Sequence, residues 1–189
     1  MPRTLVIHAH PRASASRVTQ ALRQTLASQP DTTVRALYDL YPDFDINVAA
    51  ERVALDAADL VIWLTPVHWY SVPALMKHWF DQVLAYGWAY GPGGNALRGK
   101  TAWWVTSAGA MPADYSATGA HGRPFADFVA PLEQTARFCG MHWLAPYVVH
   151  GGHHNSQSQV SASCGGLLQR LALHLAGAEP AHPSQGGAA

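Results

Sequence analysis

Five short apolar runs, each followed by a stretch with helical character, organise this chain of 189 residues. The runs are Thr4–Ala9, Val34–Leu37, Leu60–Leu64, Thr101–Thr106 and Trp143–Val149. Their polar alternation is weak, which marks strands buried on both faces. Ser14 and Ser16 both suit the N-cap of a first helix that carries Val18, Ala21, Leu22, Thr25 and Leu26 on one face. Gln29-Pro30-Asp31 ends it, and the loop YPDFDIN follows the second strand. Further helices are predicted from Val48 to Ala58, from Pro73 to Tyr86, from Phe125 to Phe138 and from Leu167 to Leu175. Pro73 belongs in a first turn, where a missing N–H costs least, and Cys139-Gly140 carries a C-terminal glycine stop. A β-α unit repeated five times predicts an α/β chain with a doubly wound five-stranded parallel sheet, in the simplest order 2-1-3-4-5. The switch point then falls between strands one and three. The loops after strands one, three and four share one edge. Residues 1–176 are expected to form a single domain, and 177–189, GAEPAHPSQGGAA, a disordered tail.

Composition narrows the function classes. Twelve basic residues balance twelve acidic ones, so no global field draws in nucleic acid or an anionic membrane. Only 13% of the chain is charged and seven residues are Trp, which is compatible with aromatic surface buried between subunits. Cys139 and Cys164, the two cysteines, lack CxxC spacing and read as buried thiols of a cytoplasmic protein. The start, MPRTLVIHAH, is too short and too soon polar for a signal peptide. No apolar run approaches the roughly 18 residues of a membrane span.

Three loops carry the chemistry. After strand one comes H-A-H-P-R-A-S-A-S-R-V-T, with hydroxyls at Ser14, Ser16 and Thr19, cations at Arg12 and Arg17, and no acid. It opens a helix, whose N-terminus offers free N–H groups, so the combination suits a phosphate monoester better than an ordinary cap. After strand three, Pro66, Val67, His68, Trp69 and Tyr70 form an aromatic, nearly uncharged, Pro-framed loop suited to a flat conjugated ligand. After strand four, Thr106, Ser107, Ala108 and Gly109 are small enough for a planar ring to approach backbone N–H groups. Tyr115 and His121 lie further along that loop. A phenol and an imidazole there can donate to a developing anion.

Other patterns carry less. Gly94 to Thr101 matches G-x-x-x-x-G-K-[ST], but it enters the strand TAWWVT instead of a helix, so its amides cannot cradle a phosphate. Lys100 reads as a solvated residue at a strand start. The acidic cluster and strand-three aspartate of a response regulator are missing, since strand one ends His8-Ala9-His10 and strand three Leu64-Thr65-Pro66. His150, His153 and His154 have neither Cys nor carboxylate nearby and no helical i, i+4 spacing, so no metal site is expected.

The motifs together resemble a known family. They are A-H-P with Ser16 downstream, L-Y-P-D-F at Leu40–Phe44, A-D-L-V at Ala58–Val61 and W-Y-S-V-P at Trp69–Pro73. G-W-A-Y-G at Gly87–Gly91, A-L-R-G-K at Ala96–Lys100, P-L-E-Q-T-A at Pro131–Ala136 and C-G-M at Cys139–Met141 continue the series. The chain resembles the flavodoxin-like NAD(P)H quinone dehydrogenases, which include DT-diaphorase, and within them the ancillary subunits of glutathione-regulated potassium-efflux systems. The resemblance runs nearly end to end, short of the C-terminal tail.

What the resemblance implies is specific. His10 and Ser16, Arg17, Val18 and Thr19 would hold the phosphate and ribityl chain of a flavin. Pro66, Val67, His68, Trp69 and Tyr70 would line its isoalloxazine ring, and Thr106, Ser107, Ala108 and Gly109 would lie under the pyrimidine end. Tyr115 and His121 would be the catalytic pair, offsetting charge at the N1–C2=O edge. The chain has T-S-A-G where T-T-G-G is usual, so Ala108 would add a methyl near the ring. It lacks the extra C-terminal region of FAD-binding relatives, which favours FMN over FAD. The implied activity is FMN-dependent, ping-pong, two-electron hydride transfer from NAD(P)H to a quinone, by a homodimer whose sites are completed by the partner chain. The alternative is an FMN-binding regulatory subunit docked on a potassium-efflux antiporter at the inner membrane face. A one-electron carrier of the flavodoxin type is disfavoured by the zero net charge.

Overall fold

The computed structural model describes residues 2–177. Five parallel strands form one sheet in the order β2-β1-β3-β4-β5: β1 (Thr4–His8), β2 (Thr32–Ala36), β3 (Leu60–Pro66), β4 (Thr101–Ser107) and β5 (His142–Val149). Every residue of β1 and β3 is buried, in keeping with their largely apolar sequences. The flanking helices are α1 (Val18–Ala27), the single turn α2 (Leu37–Leu40), α3 (Val48–Ala57), α4 (Ala74–Val83), α5 (Ala130–Phe138) and α6 (Gln157–Leu175). One core lies between the sheet and α3, α4 and α5, around Leu55, Trp63, Leu75, Trp79, Trp104 and Leu132. The other lies against α1 and α6, around Val6, Leu22, Ile62, Trp103 and Leu167.

Glu51 is fully buried on the first of these faces. Its carboxylate accepts bonds from Arg35 Nε at 2.6 Å, the Tyr41 hydroxyl at 2.6 Å and Trp79 Nε1 at 2.9 Å. These bonds join α3 to β2, to the chain after α2, and to α4. On the opposite edge of the sheet β5 carries a bulge, where Ala145 and Pro146 together oppose Trp104. Proline has no N–H for the ladder, so a bulge is where a strand tolerates it. Trp103 Nε1 and Arg170 take up the Ala145 carbonyl, and Arg170 also donates to that of Pro146.

Several predicted boundaries move, each for a physical reason. The second strand was expected to include Leu37, but Leu37 opens the short α2. Pro73 stands at the N-cap, not inside the first turn: its ψ of 153° is extended, and its carbonyl accepts from Met76 and Lys77. That helix stops at Val83 and not near Tyr86, because the chain turns back at Gly87, whose φ is +78°. The stretch from Phe125 to Phe138 is not one helix. A 3-10 turn over Phe125–Phe128 precedes α5, since the Pro131 ring would clash with the carbonyl four residues back in a continuous α-helix. The last helix starts at Gln157, ten residues before the apolar pattern begins, because Ser156 and Gln159 form a capping box. Cys139 is buried, but Cys164 is only half-buried. Lys100 is not simply solvated: its ammonium donates to the carbonyls of Asp56 and Ala58, at 3.1 and 2.6 Å, closing the end of α3. Of the tail predicted over 177–189, all but Gly177 lies outside the described residues.

Candidate functional site

The C-terminal ends of β1, β3, β4 and β5 surround a cavity of about 480 Å³ at the switch point between β1 and β3. Its first wall is the loop after β1, with His10, Pro11 and Arg12, then Ala15, Ser16, Arg17 and Val18. A 3-10 turn over Ala13–Ala15 carries Ser14, leaving Ser16 as the residue that caps α1. The Ser16 Oγ accepts the Thr19 N–H at 3.2 Å and forms a short hydrogen bond with the Thr19 hydroxyl. Thr19 is fully buried, so it stands behind Ser16 and outside the wall. Arg12 and Arg17 form no ion pair among the described residues.

Pro66, Val67 and His68 make the second wall. The Val67 N–H donates to the Ser107 carbonyl at 2.8 Å, which ties this wall to the next. Trp69 and Tyr70 do not line the cavity. They are the central residues of a tight turn, closed by His68 N–H to Ser71 O at 2.9 Å and the reverse bond at 3.0 Å. Both have positive φ, +47° and +63°, the signature of a type I′ turn. Such turns favour Asn-Gly, and bulky residues there cost of order 1–2 kcal/mol each. Trp69 gains no burial in return, since it is 92% exposed.

From the third loop, Ser107 and Gly109 line the cavity. Ala108 does not. It is buried, its N–H donates to Val149 O, and its carbonyl accepts from Gly152. Thr106 is also buried, with a hydroxyl oxygen that has no partner. A fourth wall, Gly152 and His153 after β5, was not foreseen from the sequence. The β-α pattern did carry the signal, because it puts the end of every parallel strand at this edge. Among the described residues no group of three or more His, Cys, Asp or Glu side chains is placed to hold a metal ion.

No carboxylate lines this cavity, whose ionisable groups are His10, His68, His153, Arg12 and Arg17. Burial, then the neighbouring His68, Arg12 and His153, lower the His10 pKa, and burial with Arg12 lowers that of His68. Behind them, burial pushes His8 down to about 3, with help from Arg23 and His10. Burial thus favours the neutral forms of His10 and His68, and the two arginines give the lining a net positive potential.

Tyr115 and His121 come together, as their position in one loop suggested. Their rings stack with centroids 4.4 Å apart at 24°. They stand off the cavity wall, beside Tyr70, whose hydroxyl is 3.4 Å from His121 Nδ1. Tyr70 stacks on Phe128 at 4.8 Å, and His150 meets the Tyr115 ring edge-on at 5.4 Å. His121 Nε2 is buried without a partner. Burial raises the Tyr115 pKa, with smaller contributions from Tyr70 and Asp114. The phenol therefore stays a proton donor at neutral pH.

Residues 2–171 match a family described as having a flavodoxin-like fold. The glutathione-regulated potassium-efflux system ancillary protein KefF of Klebsiella pneumoniae (strain 342) is 45% identical over 146 residues, covering 77% of this chain and 81% of that protein. The general stress protein 14 of Treponema denticola, solved in complex with FMN, superposes with a TM-score of 0.85 at 38% identity, over 90% of this chain and 98% of that one. An NADPH-quinone reductase from P. pentosaceus superposes with a TM-score of 0.80 at 27% identity, over 89% and 96%.

Proposed function

The chain belongs to the flavodoxin-like fold family, and from that premise we propose that it is an FMN-dependent NAD(P)H:quinone oxidoreductase. The observation that carries the reading is the carboxylate-free cavity at the sheet's switch point, with a capped helix start on one side and small residues on the other. The residues present fit FMN. The head of α1 offers N–H groups and Ser16 Oγ, while Arg12, Arg17 and His10 supply positive charge and donors for a phosphate. The Thr19 hydroxyl, locked to Ser16, orients that side chain. Val18 closes the floor, and the buried, unpartnered Thr106 hydroxyl offers a free polar group beside the Ser107–Gly109 loop. Pro66, Val67 and His68 flank the ring site, and Ser107 and Gly109 leave room for close approach. Ala108, turned inward, adds no methyl to the wall.

The chemistry supplied by bound FMN is two-electron hydride transfer, in ping-pong order between NAD(P)H and a quinone. The protein's part is positioning and electrostatics. Trp69 and Tyr70, carried on a two-residue turn that follows the wall residue His68, would shape the slot for the flat co-substrates. Tyr115 and His121, with Tyr70, place donors where negative charge develops. Two exposed aromatics, Tyr86 and Phe138, extend an aromatic surface through Tyr90 and support the homodimer implied by the resemblance. The expected test result is FMN-dependent oxidation of NADH or NADPH by a soluble quinone. Protein that carries FMN but supports no such oxidation would refute the enzyme reading.

The identity to KefF supports a second role, as an FMN-binding cytoplasmic subunit that docks on a potassium-efflux antiporter. Among the described residues no helix is long and apolar enough to cross a membrane. Co-purification of the antiporter with the tagged protein supports docking. Its absence leaves a free-standing reductase.

A further inference from the structure

Gly109 lines the cavity from between two residues whose carbonyls are both held by the chain after β5. The Ala108 carbonyl accepts the Gly152 N–H at 3.0 Å, and the Ala110 carbonyl accepts the Gly151 N–H at 3.0 Å. The Ala110 carbonyl has a second partner, His150 Nδ1 at 3.3 Å. Gly151 takes a left-handed φ of +68° in this clasp, and a Cβ there would meet Met111 Sδ at 2.7 Å. Asn155 secures His150 in turn, donating from Nδ2 to its carbonyl at 2.9 Å.

The same imidazole touches the further half of the β4 loop. Its ring meets those of Tyr115 and Phe125 edge-on, each with centroids 5.4 Å away, and those two rings meet each other at 5.1 Å. Phe125 stacks on Trp104 of β4, with centroids 5.8 Å apart at 22°. Tyr115 thus rests on a ring that is itself fixed to the end of β5. A carbonyl only accepts, so the bond to Ala110 requires the proton of neutral His150 to sit on Nδ1. Burial lowers the His150 pKa against a smaller, opposite effect of the Ala110 bond, which favours the neutral ring at pH 7.

We propose that His150 is a positioning residue for both halves of the β4 loop: its Nδ1–H holds the Gly109 wall in place for the cofactor, and its ring edge holds the Tyr115 phenol. His150 does not line the cavity, so it acts through Ala110 and Tyr115. The proposal rests on the reading that FMN occupies this cavity and that the Tyr115–His121 pair offsets charge developing on it.

Two substitutions separate the two tasks. His150→Asn offers an amide N–H in place of Nδ1–H and removes the ring. His150→Phe keeps a ring beside Tyr115 and Phe125 and removes the donor, while the Gly151 N–H still satisfies the Ala110 carbonyl. The first measurement is the affinity of FMN-stripped protein for FMN, read by quenching of flavin fluorescence. His150→Phe should weaken binding about 3- to 10-fold, the worth of one hydrogen bond, and His150→Asn should stay within about 2-fold of wild type. The second is kcat for NAD(P)H oxidation by a soluble quinone at saturating FMN. His150→Asn should lose about 3-fold or more, and His150→Phe less than that. The third is nitrogen NMR of the stripped wild-type protein, which should show His150 as the Nδ1–H tautomer and which decides even if a variant fails to fold. A merely structural role would move affinity and kcat together in both variants. That result, wild-type behaviour of both variants, or an Nε2–H tautomer overturns the proposal and leaves the FMN reading standing. Failure of the wild-type protein to bind FMN overturns both. FMN binding without turnover overturns the enzyme reading and the Tyr115 task with it, while the affinity difference still tests the Gly109 task.

Discussion

The Tyr70 hydroxyl lies 3.4 Å from Nδ1 of His121, across 51 residues of sequence. This contact joins the turn after β3 to the loop after β4, in which Tyr115 and His121 stack. If the pair offsets developing negative charge, Tyr115→Phe combined with His121→Ala should lower turnover by about 10-fold or more. Bound FMN should stay near wild-type level, because neither side chain lines the cavity. Steady-state rates with flavin content measured alongside check this. Unchanged turnover would remove the role assigned to the pair.

Trp69 should be replaceable with a gain in stability. It sits at φ +47° with 92% of its surface exposed, so it bears backbone strain without packing in return. Trp69→Asn is expected to raise stability by about 0.5–1.5 kcal/mol in denaturant melts, because Asn tolerates the left-handed conformation. The same variant should raise the KM for quinone. A stability gain without a kinetic penalty would mean that the strained turn serves no co-substrate.

His8 makes stability depend on acid. Its folded pKa is about 3, against 6.5 for the free side chain. A depressed folded value means the unfolded chain binds the proton first. The contribution is therefore complete above pH 6.5 and is lost progressively as pH falls from there toward 3. The slope from this one group is at most about 1.4 kcal/mol per pH unit. His10, His68 and His150 are shifted the same way and add to it. His8→Leu, a volume-compatible change in a buried strand, should give a shallower slope between pH 6.5 and 5 in urea melts. An identical slope would exclude His8 as a source.

Arg35→Ala should cost about 3–5 kcal/mol, because it leaves the fully buried Glu51 carboxylate without its cation. Adding Glu51→Gln to that background should restore part of the loss, since the uncompensated charge is gone while the amide oxygen still accepts from Trp79 and the amide N–H can donate to the Tyr41 hydroxyl. Urea denaturation of the single and double variants checks both statements. A double variant less stable than Arg35→Ala alone would contradict them.

The sheet order could be read from the chain because the central strands are largely apolar and each strand is followed by a helix, which leaves few parallel arrangements. The helix-capping Ser16 and the small Ser107–Gly109 loop were readable for a related reason: their chemistry is local. What depends on long-range geometry was not. Nothing near Glu51 in sequence marks it as buried, since its partners Arg35 and Trp79 come from β2 and α4. The Trp69-Tyr70 pair is the opposite of what a type I′ turn prefers, so the turn that swings both rings off the cavity wall was invisible. In the sequence no motif surrounds His153, and its place in the wall follows from the end of β5. The start of α6 was missed because Ser-Gln-Ser-Gln offers caps but no apolar stripe.

The measurement that bears most directly on the proposed function is the absorbance spectrum of the purified protein, with the mass of its bound cofactor. The spectrum is recorded as isolated, again after anaerobic addition of NAD(P)H, and once more after a soluble quinone. The expected result is FMN, bleached by the nicotinamide and restored by the quinone. Protein without a flavin and unable to take up FMN, or a bound flavin that NAD(P)H does not bleach, would contradict it.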